Sequence, residues 1–474
     1  MKIWEQMWQK ESAANYEDKD ARLQRVLGVK DFLALGVGTI VSASIFTLPG
    51  VIAASHAGPG VVISFILAAL VAGLIAFAYA EMASAMPFAG SAYSWINVLF
   101  GEFLGWLVGW ALLAEYFIAL AFVGAGLSAN LRGLLAEFGL QVPKAFVTPI
   151  VDGGFGDLIS IVSILMVTIL LSRGVKNATR VELFLVIAKV FAILLFIVVG
   201  LTAFHASNLH PFIPQYDPSI KPGPYGGWQG IWAGVSGIFL SYIGFDAIAA
   251  NSAEAKNPGK TMPRGILGSL LIAVVLFSAV SLVLVGMFKA SAYAGNAEPV
   301  AWALRQAGHP VVAAIVAMIA VVGMLSALIG MSMAGSRLVY SFGRDGLLPK
   351  SLGHLNQAQL PNVGLWTVAI VAIVITAFFE FSQLAQLISA GTLFAFIFVA
   401  LGIYRLRPRE GHDLTDPAFK MPLYPILPMV AALFALFVLL GLGIDAKLMM
   451  LGWFVLGLIV YFAYGMKHKI RESR

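Results

Sequence analysis

Gly36-Val37-Gly38-Thr39-Ile40-Val41-Ser42-Ala43-Ser44-Ile45-Phe46, followed by Pro49 and Gly50, is the stretch on which the fold turns. It lies inside an apolar run long enough to cross a bilayer, yet its composition opposes an uninterrupted helix. Glycine costs about 1 kcal/mol against alanine in a helix interior. A mid-span cluster of Gly, Ser and Thr therefore signals close packing or unwinding. A second run answers the first: Gly234-Val235-Ser236-Gly237-Ile238-Phe239-Leu240-Ser241-Tyr242-Ile243-Gly244-Phe245-Asp246. Both open on Gly-Val, pass through small residues to Ile, and place a Ser a few residues on. A third set of small residues, Gly101, Gly105 and Gly109, recurs every four positions and reads as a helix-packing stripe.

Outward from these runs the chain stays apolar. Of 474 residues, 60 % are hydrophobic, 11 % are charged and none is cysteine. A soluble domain carries about 25 % charged residues, so this chain needs a bilayer as solvent. Absence of cysteine removes disulfides, thiolate catalysis and cysteine metal sites. The net charge of +6 is scattered between apolar runs, not gathered on one face, which argues against nucleic acid as a partner. All seven histidines fall in loops or at span ends, so no metal site is expected.

A span needs roughly 20 apolar residues to cross about 30 Å of hydrocarbon. Twelve stretches qualify: 31–55, 60–86, 102–127, 155–172, 182–204, 228–252, 265–288, 309–342, 363–380, 384–404, 424–444 and 447–465. With the N-terminus inside, 23 of the 30 Lys and Arg fall on the inner side and 6 on the outer, with Lys189 within the fifth span. That bias puts both termini in the cytoplasm. Residues 1–30 lack the apolar core of a signal peptide; with Lys2, Trp4, Trp8 and Lys10 they read as a helix lying on the cytoplasmic interface. Residues 466–474 form a basic cytoplasmic tail. The longest internal loop, 130–154, is too short for a soluble catalytic domain, and the chain carries no Walker A or HExxH sequence. An enzyme with catalytic residues and a cofactor is therefore not expected.

The two interrupted spans are the first and the sixth. Five spans separate their starts, an odd number, so the second set enters the membrane from the opposite side. This is the signature of an inverted repeat with discontinuous helices at the midplane, here 31–204 and 228–404, with 424–465 appended. A half-helix N-terminus presents free N–H groups and partial positive charge, which suit a carboxylate. A half-helix C-terminus presents free carbonyls, which suit an ammonium. α-Amino acids carry both groups a few ångströms apart.

Further motifs carry a family resemblance. Phe239 to Asp246, continued by Glu254-Ala255-Lys256-Asn257-Pro258 and Met262-Pro263-Arg264-Gly265-Ile266, resembles the span 6 signature of amino acid permeases of the amino acid–polyamine–organocation superfamily. Tyr79-Ala80-Glu81 through Pro87-Phe88-Ala89-Gly90-Ser91-Ala92-Tyr93 resembles their loop after span 2. Arg173-Gly174-Val175-Lys176 resembles the loop after span 4, and Arg344-Asp345-Gly346-Leu347-Leu348-Pro349 the end of span 8. The span 6 run is most similar to the cationic amino acid transporters and their bacterial relatives. The resemblance implies an all-α membrane protein of twelve transmembrane helices, with a LeuT-type 5+5 inverted repeat and two extra helices. It also implies alternating access around a central amino acid site. Ser42 and Ser44 stand where the family usually has glycine.

Two ionisable residues lie deep in spans, Lys189 in the fifth and Glu115 in the third. Such residues usually face the interior and mark pathways. In sodium-coupled relatives the place of Lys189 holds a sodium ion, so the resemblance implies an ammonium in its stead. Glu81, Asp246, Arg337 and Asp345 read as inner-gate ion-pair candidates. The expected function is secondary transport of L-amino acids across the cell membrane, coupled to protons through Lys189 with Glu115 as a second titrating group. The carboxylate is expected on the backbone of Ser42, Ala43 and Ser44, and the ammonium on carbonyls of Ile40, Leu240 and Ile243. Phe239, Ser241 and Met324 are expected to shape the side-chain pocket. Substrates are expected to include alanine, with arginine or lysine open; a proton-independent exchanger or facilitator, or a non-transporting sensor, is the alternative. Nothing in the sequence fixes an oligomeric state or an accessory subunit.

Overall fold

Helices run where apolar residues continue without a break and stop at glycine, proline and small-residue clusters. The computed structural model describes residues 3–42, 44–137, 139–220, 224–296, 298–379, 381–442 and 444–469. Among them the chain is all-helical, with no strand beyond isolated bridges. Two short helices come first, α1 (Ile3–Met7) and α2 (Ala13–Asp20). The first long apolar run splits into α3 (Val29–Ile40) and α4 (Ser44–Ile52). Then follow α5 (Val61–Ala85), α6 (Ala92–Leu99), α7 (Glu102–Glu137), α8 (Leu158–Ser172) and α9 (Val175–Leu201). The second split gives α10 (Gly227–Phe239) and α11 (Phe245–Ala250). After it come α12 (Pro258–Met287), α13 (Pro299–Gln306), α14 (Pro310–Asp345), α15 (Asn362–Phe378) and α16 (Phe381–Leu406). The chain closes with α17 (Ile426–Gly441), α18 (Ile444–Val460) and α19 (Met466–His468).

Among the described residues, seven helical stretches are long and apolar enough to cross a membrane, and three shorter apolar helices stand beside them. On α17 and α18, Leu433, Phe437, Leu440, Leu448, Leu451 and Ile459 point outward and are each more than half exposed. Apolar faces of this extent need lipid, and helices satisfy their own backbone there. The chain is a multi-pass membrane protein. The short pieces beside the splits lie at its centre. α3 packs on α9, α12 and α14, and α11 packs on α3, α5, α12 and α14.

The two halves match in length. α7 and α14 each have 36 residues, α8 and α15 have 15 and 17, and α9 and α16 have 27 and 26. Each half also carries an eight-residue helix, α6 in one and α13 in the other. The glycine stripe of α7 does pack closely. A Cβ at Gly105 would fall 2.9 Å from Asn97 Cβ, and one at Gly109 would fall 2.6 Å from the Phe342 ring. One boundary differs from the sequence reading in a way that matters below: α9 starts at Val175, not at 182.

The first and last described segments lie on one face, where Lys469 pairs with Glu11 at 3.4 Å and with Glu102 at 3.2 Å. Residues 3–30 do not form the one helix expected there. The segment divides into α1 and α2, and α2 docks on protein. Tyr16, fully buried, donates to Asp345 Oδ2 at 2.8 Å and accepts from Asn97 Nδ2 at 2.7 Å. Asp20 accepts from Ala89 N at 2.9 Å and from Arg344 at 2.6 Å. Burial raises the Asp20 carboxyl above its ordinary value, against the pull of Arg344. Beyond α2, Leu27 N donates to Glu254 O at 3.0 Å, and Arg337 Nε donates to Glu254 Oε1 at 2.7 Å. Glu81 pairs with Arg407. Of the four gate candidates, Glu81, Arg337 and Asp345 are thus in ion pairs on this face.

Candidate functional site

The first interruption follows from the residues at the end of α3. After Ile40 the backbone leaves the helix at Val41 (φ −82°, ψ 71°), and Ser42 N turns back to donate to Ile40 O at 2.9 Å. α4 then restarts at Ser44, its first-turn N–H groups lacking intrahelical partners. At the second interruption a tight turn, Leu240–Tyr242, follows α10, and Gly244 adopts φ 131° before α11 begins. Only glycine enters that conformation readily. The two interruptions touch. Thr39 Oγ1 shares its proton among Leu35 O (2.8 Å), Gly36 O (3.0 Å) and Gly244 O (3.1 Å), so one hydroxyl ties the end of α3 to the second break.

Lys189 of α9 is buried against this junction. Its Nζ donates to Gly38 O at 3.0 Å and to Ser326 Oγ at 2.6 Å. Ser326 passes its own proton to Gly323 O at 2.7 Å. Gly323 lets α14 close on the lysine stem, since a Cβ there would lie 2.9 Å from Lys189 Cε. A helix carbonyl and a serine hydroxyl are cation ligands, and here they hold an ammonium.

Glu115 lies in a separate cluster with the fully buried Asp246. Asp246 Oδ2 accepts from Tyr116 OH at 2.7 Å, while Asp246 Oδ1 and both Glu115 oxygens are buried without a donor. Asp246 therefore does not form an inner-gate ion pair. Its position in the first turn of α11, two residues past Gly244, places it in the interior. Tyr79 OH, also buried without a partner, lies near enough for both carboxyls to act on it.

Of the other expected residues, Ile40, Phe239, Ser241 and Ile243 fall at the interruptions, while Met324 lies within α14. Ile40, Phe239, Ser241, Ile243 and Met324 are each at most 5 % exposed. Ser44 Oγ and Ser241 Oγ are buried with no hydrogen-bond partner. Ser42 is partly buried, while Ala43 and the Leu240 side chain lie outside the described residues. Thr39, Ser326 and Asp246 make contacts the sequence reading did not assign, with Gly244, Lys189 and Tyr116 respectively. Thr39 alone had a local signal, as the hydroxyl inside the first glycine run.

Apolar helices broken at two touching points, with an ammonium seated beside the junction, are the architecture of a membrane transporter. Comparison with known proteins supplies the family: residues 27–463 match the model described as amino acid permease. The chain belongs to that family, within the amino acid–polyamine–organocation superfamily, and is an amino acid transporter, not an enzyme. It is 62 % identical over 455 residues to the branched-chain amino acid permease BcaP of Lactococcus lactis subsp. cremoris, covering 96 % of this chain and 97 % of that one. It is 36 % identical over 457 residues to the methylthioribose transporter of Bacillus subtilis, covering 96 % of each chain. A vacuolar cationic amino acid transporter 4 of Arabidopsis thaliana is 33 % identical over 406 residues, 84 % of this chain and 66 % of that protein.

Proposed function

We propose that this permease carries L-amino acids with branched apolar side chains across the cell membrane, together with protons, by alternating access about the two interruptions. The observation that carries the substrate site is the pair of buried, unpartnered hydroxyls, Ser44 Oγ and Ser241 Oγ, one at each break. Buried polar groups are normally hydrogen-bonded, and a bound amino acid supplies partners. Its carboxylate takes the N–H groups of Ala43 and Ser44, and that of Ser42 as it leaves Ile40 O. Its ammonium takes the carbonyls of Ile40, Leu240 and Ile243, the first of which already accepts from Ser42 N.

The side chain then meets Phe239, Ser241 and Met324. The apolar residues here, and the similarity to a branched-chain amino acid permease, favour leucine, isoleucine and valine. Alanine fits the same backbone contacts with a weaker grip, since each missing methylene is worth about 1–3 kcal/mol in an apolar pocket. Arginine or lysine would need an anion, and Glu115 is engaged with Asp246. Two carboxyls facing each other without a cation share a proton, so Glu115 serves as a second proton-holding group.

The matched helix lengths support twelve transmembrane helices arranged as a LeuT-type 5+5 inverted repeat with α17 and α18 added. The Lys and Arg bias supports a cytoplasmic position for the face that carries the first and last described segments. Lys189 acts as the coupling group, its proton leaving when α3 withdraws.

Uptake of radiolabelled leucine, alanine and arginine into proteoliposomes, with and without an inward proton gradient, tests this. Leucine should accumulate on the gradient, and Lys189→Ala should reduce that accumulation by about 100-fold, the scale of losing a proton-transfer group. Leucine uptake indifferent to both the gradient and Lys189 would leave an exchanger or facilitator. Binding without movement would mark a sensor.

A further inference from the structure

Glu182 is a carboxyl with no visible reason to be where it is. It lies in α9, fully buried, and neither of its oxygens has a hydrogen-bond partner. Its neighbours Val181, Leu183 and Phe184 are 38 %, 39 % and 68 % exposed, so this turn of α9 faces lipid on its other side. A structural glutamate at such a place would be expected to bond a donor. This one rests on backbone instead: a Cβ at Gly38 would fall 1.9 Å from Glu182 Oε1. Gly38 is the residue whose carbonyl holds Lys189 Nζ. Acid and base are thus seated on the same peptide of α3, next to the first interruption.

The two side chains share one face of α9. Seven residues are two turns, about 10 Å along the axis. Helical side chains lean toward the helix N-terminus, so Lys189 leans toward Glu182, and Glu182 lies between it and the face that carries the first and last described segments. Lys189 is the charged group whose field acts on the carboxyl. Lys30 and Asp31 of α3, Arg264 of α12 and Arg337 of α14 lie further toward that face, and Arg305 of α13 pairs with Glu298. α8 carries no charged residue.

We infer that Glu182 takes the proton from Lys189 and hands it to the cytoplasm. When α3 moves off α9, Nζ loses the Gly38 carbonyl and water reaches Glu182, whose buried carboxylic acid first gives its own proton to that water and becomes a carboxylate. The N–H bond of the ammonium breaks as an O–H bond forms on Glu182, leaving a neutral amine and a carboxylic acid. Glu182 is then an acid again, and one proton has passed to water. This inference rests on the reading of Lys189 as the coupling group.

The test uses the full chain in proteoliposomes loaded with a pH-sensitive dye. Wild type should acidify the lumen when leucine enters. Glu182→Gln should keep leucine–leucine counterflow, which needs no net proton release, while losing acidification and gradient-driven accumulation by about 10- to 100-fold. Glu182→Asp, which retains a carboxyl, should recover part of the coupling with a displaced pH profile. If Glu182→Gln fails to reach the membrane, that profile decides: a displaced limb supports the relay and an unchanged one overturns it. A Gln variant that acidifies and accumulates like wild type overturns the relay alone. A wild type that moves leucine without protons overturns the Lys189 reading and the relay with it.

Discussion

Arg344→Ala should destabilise the protein by about 3–5 kcal/mol, the scale seen when one partner of a buried ion pair is removed. Arg344 is 8 % exposed and ties α2 to α14. It donates to Asp20 Oδ1 of α2 at 2.6 Å and to Asp345 Oδ1 at 2.9 Å, and its carbon lies 4.3 Å from the centre of the Tyr16 ring. Without it two carboxylates stay in the interior with little to balance them; Lys19 reaches Asp345 only at 3.9 Å. The chain's response should be to undock α2. A lower melting temperature in detergent and rapid tryptic cleavage at Arg22 and Arg25 would show both effects. Arg344→Lys keeps the charge but not the planar fork, so it should fall between. Unchanged melting and protected trypsin sites in Arg344→Ala would mean that α2 is held by its other contacts.

Gly244→Ala should weaken leucine binding by about 10- to 100-fold, about 1.4–2.7 kcal/mol, and should cost stability on the similar scale of about 1–3 kcal/mol for a side chain forced into a sparsely populated backbone region. At φ 131° the new Cβ would lie 3.0 Å from Thr39 Cβ and 3.3 Å from Ile40 N. The strain is therefore delivered at the contact between the two interruptions, on the residue whose carbonyl is expected to take the substrate ammonium. Thr39→Ser is the companion variant. It retains the hydroxyl that bridges to Gly244 O and deletes the methyl packed on Gly330. It should bind leucine more nearly like wild type than Gly244→Ala does. Equilibrium binding of labelled leucine, alongside melting curves, separates a damaged site from a damaged fold. Wild-type affinity in Gly244→Ala would remove this junction from the substrate site.

The interruptions were legible because their cause is local. Gly, Ser and Thr at 36–44 and 234–244 disfavour a continuous helix whatever surrounds them, and both breaks fall inside those runs. Lys189 was legible because a lone cation in an apolar span has few bland explanations. Glu182 was missed for a physical reason. Lys176 and Arg180 make the start of α9 look like a polar loop and leave Glu182 at the edge of the span read as 182–204, whereas the helix begins at Val175 and carries Glu182 into the interior. The N-terminal segment was misread for a related one: Trp and Lys together suit a membrane surface, but Tyr16 and Asp20 found a protein surface with an arginine in it.

By itself, then, the sequence determined the solvent, the apolar helices and where two of them must stop. Hydropathy and helix propensity act residue by residue and over short windows, so they can be read from order alone. Only the tertiary structure decided what those stops do. Thr39 meeting Gly244, Lys189 meeting Gly38 and Ser326, and Glu115 meeting Asp246 join residues 130 or more positions apart. Such pairings depend on which helix faces which, and that is set by packing of the whole bundle.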